Sequence, residues 1–210
     1  MVKTSPQLKF WTGKFGENYW SRNRLPPNKV KIGVVAYRRI FDNVKVNSIL
    51  EVGSNIGNNL VIIRKLLGTK MKLYAVEPNQ LALSILKKNQ GLKLTETFKT
   101  DAAHIPLADN SVDLAFTSGV LIHIAPDDLL SAATEIVRVA KKYVLCLEFF
   151  SHEPEEKPYR GRRNVFFKRD FGAFYLDHFP ELKPVNYGFF WQRELPIFMN
   201  INWWLFRKIR

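Results

Sequence analysis

Residues 48–58, Ser-Ile-Leu-Glu-Val-Gly-Ser-Asn-Ile-Gly-Asn, constrain the fold more than any other stretch. Ile49, Leu50 and Val52 form an apolar run around Glu51 that ends at Gly53. Gly57 follows, and Leu60, Val61, Ile63, Leu66 and Leu67 then recur at helical spacing. This pattern predicts a buried strand, a tight glycine turn and a helix N-terminus. Glycine tolerates positive φ and lets backbone approach a ligand closely. The helix behind it presents unpaired N–H groups at the positive end of its dipole. Several classes of nucleotide-binding enzyme share such an element, so its ligand must be decided elsewhere in the chain.

Strands and helices alternate after it. Residues 70–77 predict a second strand ending in Glu77, and Leu81, Leu83, Ile85 and Leu86 a helix with Asn79 as its N-cap. A third strand is expected over 92–99, ahead of Asp101-Ala102, and a fourth over Ser111–Thr117, opening onto Ser118-Gly119-Val120-Leu121-Ile122-His123. A helix from Pro126 to about Val139 and a fifth strand over 142–149 complete the run. That alternation predicts an α/β chain with a parallel doubly wound sheet. The end differs: Lys168–Phe179 looks helical, and Pro184–Gln192 and Ile201–Lys208 are aromatic-rich strands separated only by a loop. So short a connection permits an antiparallel hairpin and no parallel crossover. The rings of Phe189-Phe190-Trp191 and Trp203-Trp204-Leu205-Phe206 invite a membrane or stacking role, but are expected to pack in the core, as in a strand apolar on both faces.

Upstream, residues 29–45 predict a helix packed on the sheet, and residues 5–24 carry Phe10, Trp11, Phe15, Tyr19 and Trp20 with Gly13 and Gly16 between them. The segment closes on Arg22-Asn23-Arg24 and Pro26-Pro27, which mark a boundary. Residues 1–27 are expected either to fold over a ligand as a lid or to cap the core with their rings. The whole chain, 1–210, suits a single domain.

Charge is the compositional anomaly. The net +13 is contained in residues 1–46, at +8, and residues 157–170, at +5. Localised positive charge attracts nucleic acid, an acidic membrane or an acidic small molecule, although a solubilising surface has the same composition. No apolar run approaches the roughly 20 residues that span a bilayer, and the polar start of the chain has no secretory pattern. The single cysteine, Cys146, excludes an internal disulfide and a multi-cysteine metal site. His104, His152 and His178 lack metal-ligand spacing, so no metal is expected. A cytoplasmic location follows as the expectation.

Glu77 stands 24 residues after Gly53, where a carboxylate accepts hydrogen bonds from both ribose hydroxyls of a nucleoside. Dinucleotide-binding folds use the same device. Three details point elsewhere: the glycines are spaced Gly53-x-x-x-Gly57, Asp101-Ala102 follows the third strand, and the chain ends in an antiparallel pair. With Glu51-Val52-Gly53-Ser54-Asn55-Ile56-Gly57, Glu77-Pro78, Asp101-Ala102 and Ser118–His123 in this order, the sequence resembles the class I S-adenosylmethionine-dependent methyltransferases. The resemblance implies a seven-stranded sheet whose last strand inserts antiparallel beside the fifth. It places Gly53, Ser54 and Gly57 by the methionine part, Glu77 by the ribose and Asp101 with Ala102 by the adenine, with Glu51, Asn55, Pro78 and Ser118 in the same cofactor site. Asn55 stands where the family usually has glycine; asparagine is the non-glycine residue most at ease in left-handed backbone. Trp11, Tyr19 and Arg22 would approach the cofactor from the lid, with Tyr19 and Arg22 on its carboxylate.

A narrower resemblance rests on Phe10-Trp11-Thr12-Gly13-Lys14-Phe15-Gly16-Glu17-Asn18-Tyr19-Trp20-Ser21-Arg22-Asn23, Gly119–Ile124, Pro158–Gly161 and Phe167–Phe171. These look like the methyltransferases found with pseudaminic acid biosynthesis, and imply a small sugar-derived acceptor. His123, after the fourth strand and titrating near neutrality, is the candidate general base. Glu148, at the tip of the fifth strand, is expected either to orient the acceptor or to pair with Arg160. Tyr159, Arg160, Lys168 and Arg169 are expected to bind an anionic acceptor, since arginine suits carboxylate and phosphate. A nucleic-acid methyltransferase also fits the charge, but no Asn-Pro-Pro-Tyr-type motif is present. A non-catalytic adenosylmethionine-binding protein is the third reading.

Overall fold

The computed structural model describes residues 5–209. Seven strands form one sheet: β1 (Ser48–Val52), β2 (Lys72–Val76), β3 (Glu96–Phe98), β4 (Val112–Ser118), β5 (Ala140–Glu148), β8 (Leu182–Phe190) and β9 (Ile201–Lys208). Their order is β3-β2-β1-β4-β5-β9-β8. The first five are parallel; β9 runs antiparallel to both β5 and β8. The expected antiparallel insertion beside the fifth strand is therefore present. A second, two-stranded sheet pairs β6 (Glu155–Glu156) with β7 (Phe167–Lys168).

Helices cover both faces. On one, α3 (Val30–Phe41) and α4 (Asn58–Leu67) bury Tyr37, Ile40, Leu60, Ile62 and Ile63 against Ile49, Leu73, Leu114 and Leu145. On the other, α6 (Pro126–Val139) and α7 (Phe171–His178) bury Leu129, Ile136, Phe171 and Tyr175 against Leu50, Ala115, Val144 and Phe206. Alternate residues of β1 thus enter opposite cores, as the pleat requires. Asn79 caps α5 (Gln80–Lys88), its side chain accepting from the Ala82 N–H.

Three features differ from expectation. The third strand shrinks to Glu96–Phe98 because Gln90–Leu92 is a 3-10 turn and Lys93 adopts left-handed backbone. The last helix starts at Phe171, where the Asp170 carboxylate caps the Ala173 N–H; Phe167 and Lys168 are held in β7 instead. At the sheet edge, alternate residues of β8 enter the core and face solvent: Phe190 is buried, whereas Phe189 and Trp191 are half exposed rather than core. The aromatic arm is helical, α1 (Pro6–Thr12) and α2 (Lys14–Arg22); residues 1–4 of the predicted lid lie outside the described residues.

Candidate active site

A cleft of about 840 Å³ opens at the carboxyl ends of β1, β2 and β4. Ligands bind open α/β sheets in this position, where the strand order reverses. Its floor is the turn after β1. Gly53, Asn55 and Gly57 all have positive φ, at 78°, 47° and 80°. Asn55 thus accepts the left-handed conformation that the sequence required of it. The N–H groups of Gly53 and Ser54 both donate to the Val76 carbonyl, at 2.8 and 3.0 Å, which locks the turn against β2.

Glu77 is buried and completes this lock: one carboxylate oxygen accepts the Asn55 N–H at 2.7 Å, the other the Asn79 N–H at 2.8 Å. Burial pushes its pKa up to about 7, against the pull of those two N–H groups. Glu51 lies deeper. Its Oε1 accepts from the Asn59 amide at 2.7 Å, whereas its Oε2 is buried without a partner. Burial, reinforced by Glu77, pushes Glu51 up to about 8, so it is predominantly protonated at neutral pH. Asp101 lines the same wall; its Oδ1 accepts from the Ala103 N–H and faces His104 Nδ1 at 2.7 Å, leaving Oδ2 free of those contacts. Pro78, Ala102 and Ser118 also line the cleft.

The arm forms the opposite wall, pinned at three points. Asn79 donates to the Trp11 carbonyl at 2.9 Å, Gln7 to the Asn164 carbonyl at 2.9 Å, and the Asn58 amide to the Asn23 carbonyl. Trp11, Tyr19 and Arg22 consequently face the cleft. Burial raises the Tyr19 phenol to about 12, with Arg160 and Arg22 opposing.

His123 follows β4 on the 3-10 turn Leu121–His123 and also lines the cleft. Its Nδ1 lies 2.7 Å from the Val165 carbonyl. A carbonyl only accepts, so Nδ1 carries the hydrogen and Nε2 keeps its lone pair. The ring packs against Trp11, Tyr159 and Phe166, with centroids 4.5, 5.1 and 5.6 Å away. That burial lowers its pKa to about 4. His123 is a neutral hydrogen-bond acceptor, not the group titrating near neutrality that its position after β4 suggested.

Other expected site residues are not brought to the cleft. Glu148 is fully buried and turned beneath the 3-10 turn, accepting the N–H groups of Val120, Leu121 and Ile122 at 3.1, 3.1 and 3.4 Å. It fixes the segment carrying His123; it neither reaches the cleft nor pairs with Arg160. Gly57 faces Leu86 and Leu92, where a Cβ would come within 2.4 Å of Leu86, so its role is helix packing. Tyr159 backs the His123 ring instead of lining the cleft, and Arg160 is exposed at the tip of the hairpin closed by Tyr159 and Arg162. Lys168 sits 3.9 Å from Glu155, and Arg169 stacks over Phe174. The β6–β7 sheet holds this whole crossover beside the cleft and away from its interior.

The cleft's cations come from the arm and the 3-10 turn after it: Arg22, Arg24 and Lys29 line it, none of them in an ion pair among the described residues. Aromatic faces hold the two guanidiniums, Arg22 over Phe15 and Arg24 over Trp20. Sequence reasoning also missed Gln7, which is buried with its Oε1 unpartnered, and the apolar wall of Phe149, Ile197, Phe198 and Ile201. For Asn59, a usable signal existed: a polar residue in the first turn of an apolar helix, opposite Glu51. Gln7 gave none.

Residues 50–147 match the family model of a methyltransferase domain. The matched segment is just under half of the chain, and it makes the chain similar to methyltransferases, neighbours of which are solved with S-adenosylmethionine or S-adenosylhomocysteine. The fold extends the likeness over the chain. A Leishmania major S-adenosylmethionine-dependent methyltransferase is similar with TM-score 0.72 at 16% identity, over 96% of this chain and 81% of that one. The magnesium protoporphyrin IX methyltransferase of Synechocystis, solved with bound S-adenosylmethionine, gives 0.68 at 10% identity over 99% of both chains. The Burkholderia thailandensis 1,6-didemethyltoxoflavin-N1-methyltransferase, solved with bound 1,6-didemethyltoxoflavin and S-adenosylhomocysteine, gives 0.66 at 13% identity, over 93% and 83%. No curated protein matches in sequence. No helix among the described residues is long and apolar enough to cross a membrane.

Proposed function

We propose that the cleft binds S-adenosylmethionine along β1 and β2 and methylates an oxygen or nitrogen of a small anionic metabolite, sugar-derived as the narrower resemblance implies. One observation carries this reading: the locked turn, Glu77 and Asp101 line one wall of the same cleft whose other wall holds His123 and three unpaired cations. The residues fit such a nucleoside. Each Glu77 oxygen holds one N–H and keeps a lone pair for a ribose hydroxyl. Asp101 Oδ2 and the Ala102 N–H suit the amino and ring nitrogens of adenine. Gly53, Ser54 and Asn55 offer backbone to the methionine part, while Trp11 closes over it with Tyr19 and Arg22. Bound there, the cofactor supplies an activated methyl group on a sulfonium.

The chain's contribution is chiefly orientation, which accounts for much of the acceleration of an in-line displacement. His123 Nε2 accepts a hydrogen bond from the acceptor's O–H or N–H and aims its lone pair. With a pKa of about 4 it is too weak a base to remove that proton beforehand; the proton is lost through Nε2 to solvent once the acceptor carries the methyl group and the methyl–sulfur bond has broken. Arg24 and Lys29 recognise the acceptor's anionic group, and the arm excludes water as a lid. Calorimetry with S-adenosylhomocysteine and NAD, followed by transfer of labelled methyl groups to a panel of sugar acids and amines, tests the reading. Binding of NAD in place of the nucleoside sinks it. An Arg24→Ala/Lys29→Ala variant with an unchanged KM for the acidic acceptor sinks the anion assignment.

A further inference from the structure

We infer that the rim of the cleft formed by residues 24–31 and 189–199 docks on an anionic lipid bilayer surface. The topology places this rim. Strand β9 is antiparallel to β5, and β8 to β9, so the loop from Trp191 to Asn200 emerges at the carboxyl end of the parallel strands, beside the cleft. Pro196–Met199 line the cleft directly, and Ile197 packs on α3 at Gly33, one turn after Lys29. The two segments therefore form one continuous edge.

Among the described residues its apolar side chains have no cover. Phe189 is 50%, Trp191 51% and Met199 61% exposed, and Tyr187, two residues before Phe189 on β8, is 73% exposed. Interspersed with them are the exposed Lys31 and Arg193, whereas the acid of the loop, Glu194, is neutralised by Arg39. Large amphipathic and apolar rings enter the headgroup boundary, and Lys and Arg beside them are attracted to anionic lipid. A second copy of the chain fits this edge less well. Pro184 lacks an N–H and the β8–β9 register shifts beside it, which interrupts the free edge of β8. A net charge of +13 also repels another copy. Docked this way, the mouth of the cleft faces the headgroup layer.

Sedimentation with vesicles of phosphatidylglycerol and phosphatidylcholine in equal parts, against phosphatidylcholine alone, tests the surface. The wild-type protein is expected to sediment with the anionic vesicles, to be released as salt rises, and to ignore the neutral ones. A Phe189→Ser/Trp191→Ser variant is expected to bind roughly tenfold more weakly, from the loss of two inserted rings, while retaining adenosylhomocysteine affinity. Quenching of wild-type tryptophan emission by brominated phosphatidylglycerol, lost in Trp191→Phe, reads the same contact without relying on the double variant's folding. Failure to sediment with anionic vesicles, undiminished binding by the double variant, or a wild-type dimer that the double variant dissolves would each overturn the inference. The nucleoside-binding experiment stays independent of these outcomes.

Discussion

Replacing Glu51 with Gln tests the electrostatics of the cleft floor. The side chain is 2% exposed, with one oxygen satisfied by Asn59 and the other unpartnered. Burial raises its pKa from 4.5 to about 8. The folded chain therefore holds a proton that the unfolded chain releases across that interval. Linkage gives the sign: a carboxyl raised in the folded state stabilises fully below 4.5, and that contribution is lost as pH rises towards 8. At roughly 1.4 kcal/mol per pH unit the full loss is roughly 5 kcal/mol, an upper figure since the buried site relaxes when charged. Glutamine has the same shape, keeps an oxygen for Asn59 and never ionises. Urea unfolding at a series of pH values should find Glu51→Gln increasingly more stable than wild type from pH 5 to 8, with little difference near pH 4. A difference that is constant with pH, or that shrinks as pH rises, refutes the reasoning.

Three further outcomes follow from the same geometry. The His123 imidazole, followed by nitrogen-detected NMR, should stay neutral with its proton on Nδ1 from pH 9 down to about 5; titration near 6.5 would remove the burial argument. Asn55→Ala places a β-carbon residue in left-handed backbone and should cost about 1 kcal/mol in thermal or urea melts, while Asn55→Gly should cost less; equal losses would show that φ at this position is not limiting. Gly16→Ala puts a Cβ 1.7 Å from the Trp11 carbonyl oxygen and 2.9 Å from Asn79 Nδ2. It should lift the arm, weakening adenosylhomocysteine binding roughly tenfold or more while the sheet's melting transition persists; unchanged affinity would mean that the arm does not contribute to the site.

The alternation of apolar runs with amphipathic stretches made β1, α4, β2, α5, β4, α6 and β5 legible in order, because both periodicities are local properties of a chain. The turn at Gly53–Gly57 was legible for the same reason: few residues accept positive φ, and Gly and Asn stand where it occurs. The hairpin of β8 and β9 followed from loop length alone. Chemistry carried by charge was less legible. The crossover at 157–170 holds a dense cluster of arginines, but the β6–β7 pairing, invisible in four residues of sequence, holds it outside the cleft, and Arg24 and Lys29 of the arm stand there instead.

The sequence by itself thus determined the sheet, the glycine turn after β1 and the strand tips that border the cleft, since these depend on backbone conformation and periodicity. Only the tertiary structure decided what each titratable group does. Glu148 is a brace because three N–H groups converge on it, and His123 is neutral because aromatic rings from the arm and from the distant β6–β7 crossover, with the Val165 carbonyl, enclose it. Desolvation and hydrogen-bond partners come from residues remote in the chain, and they, rather than residue type, set the protonation state.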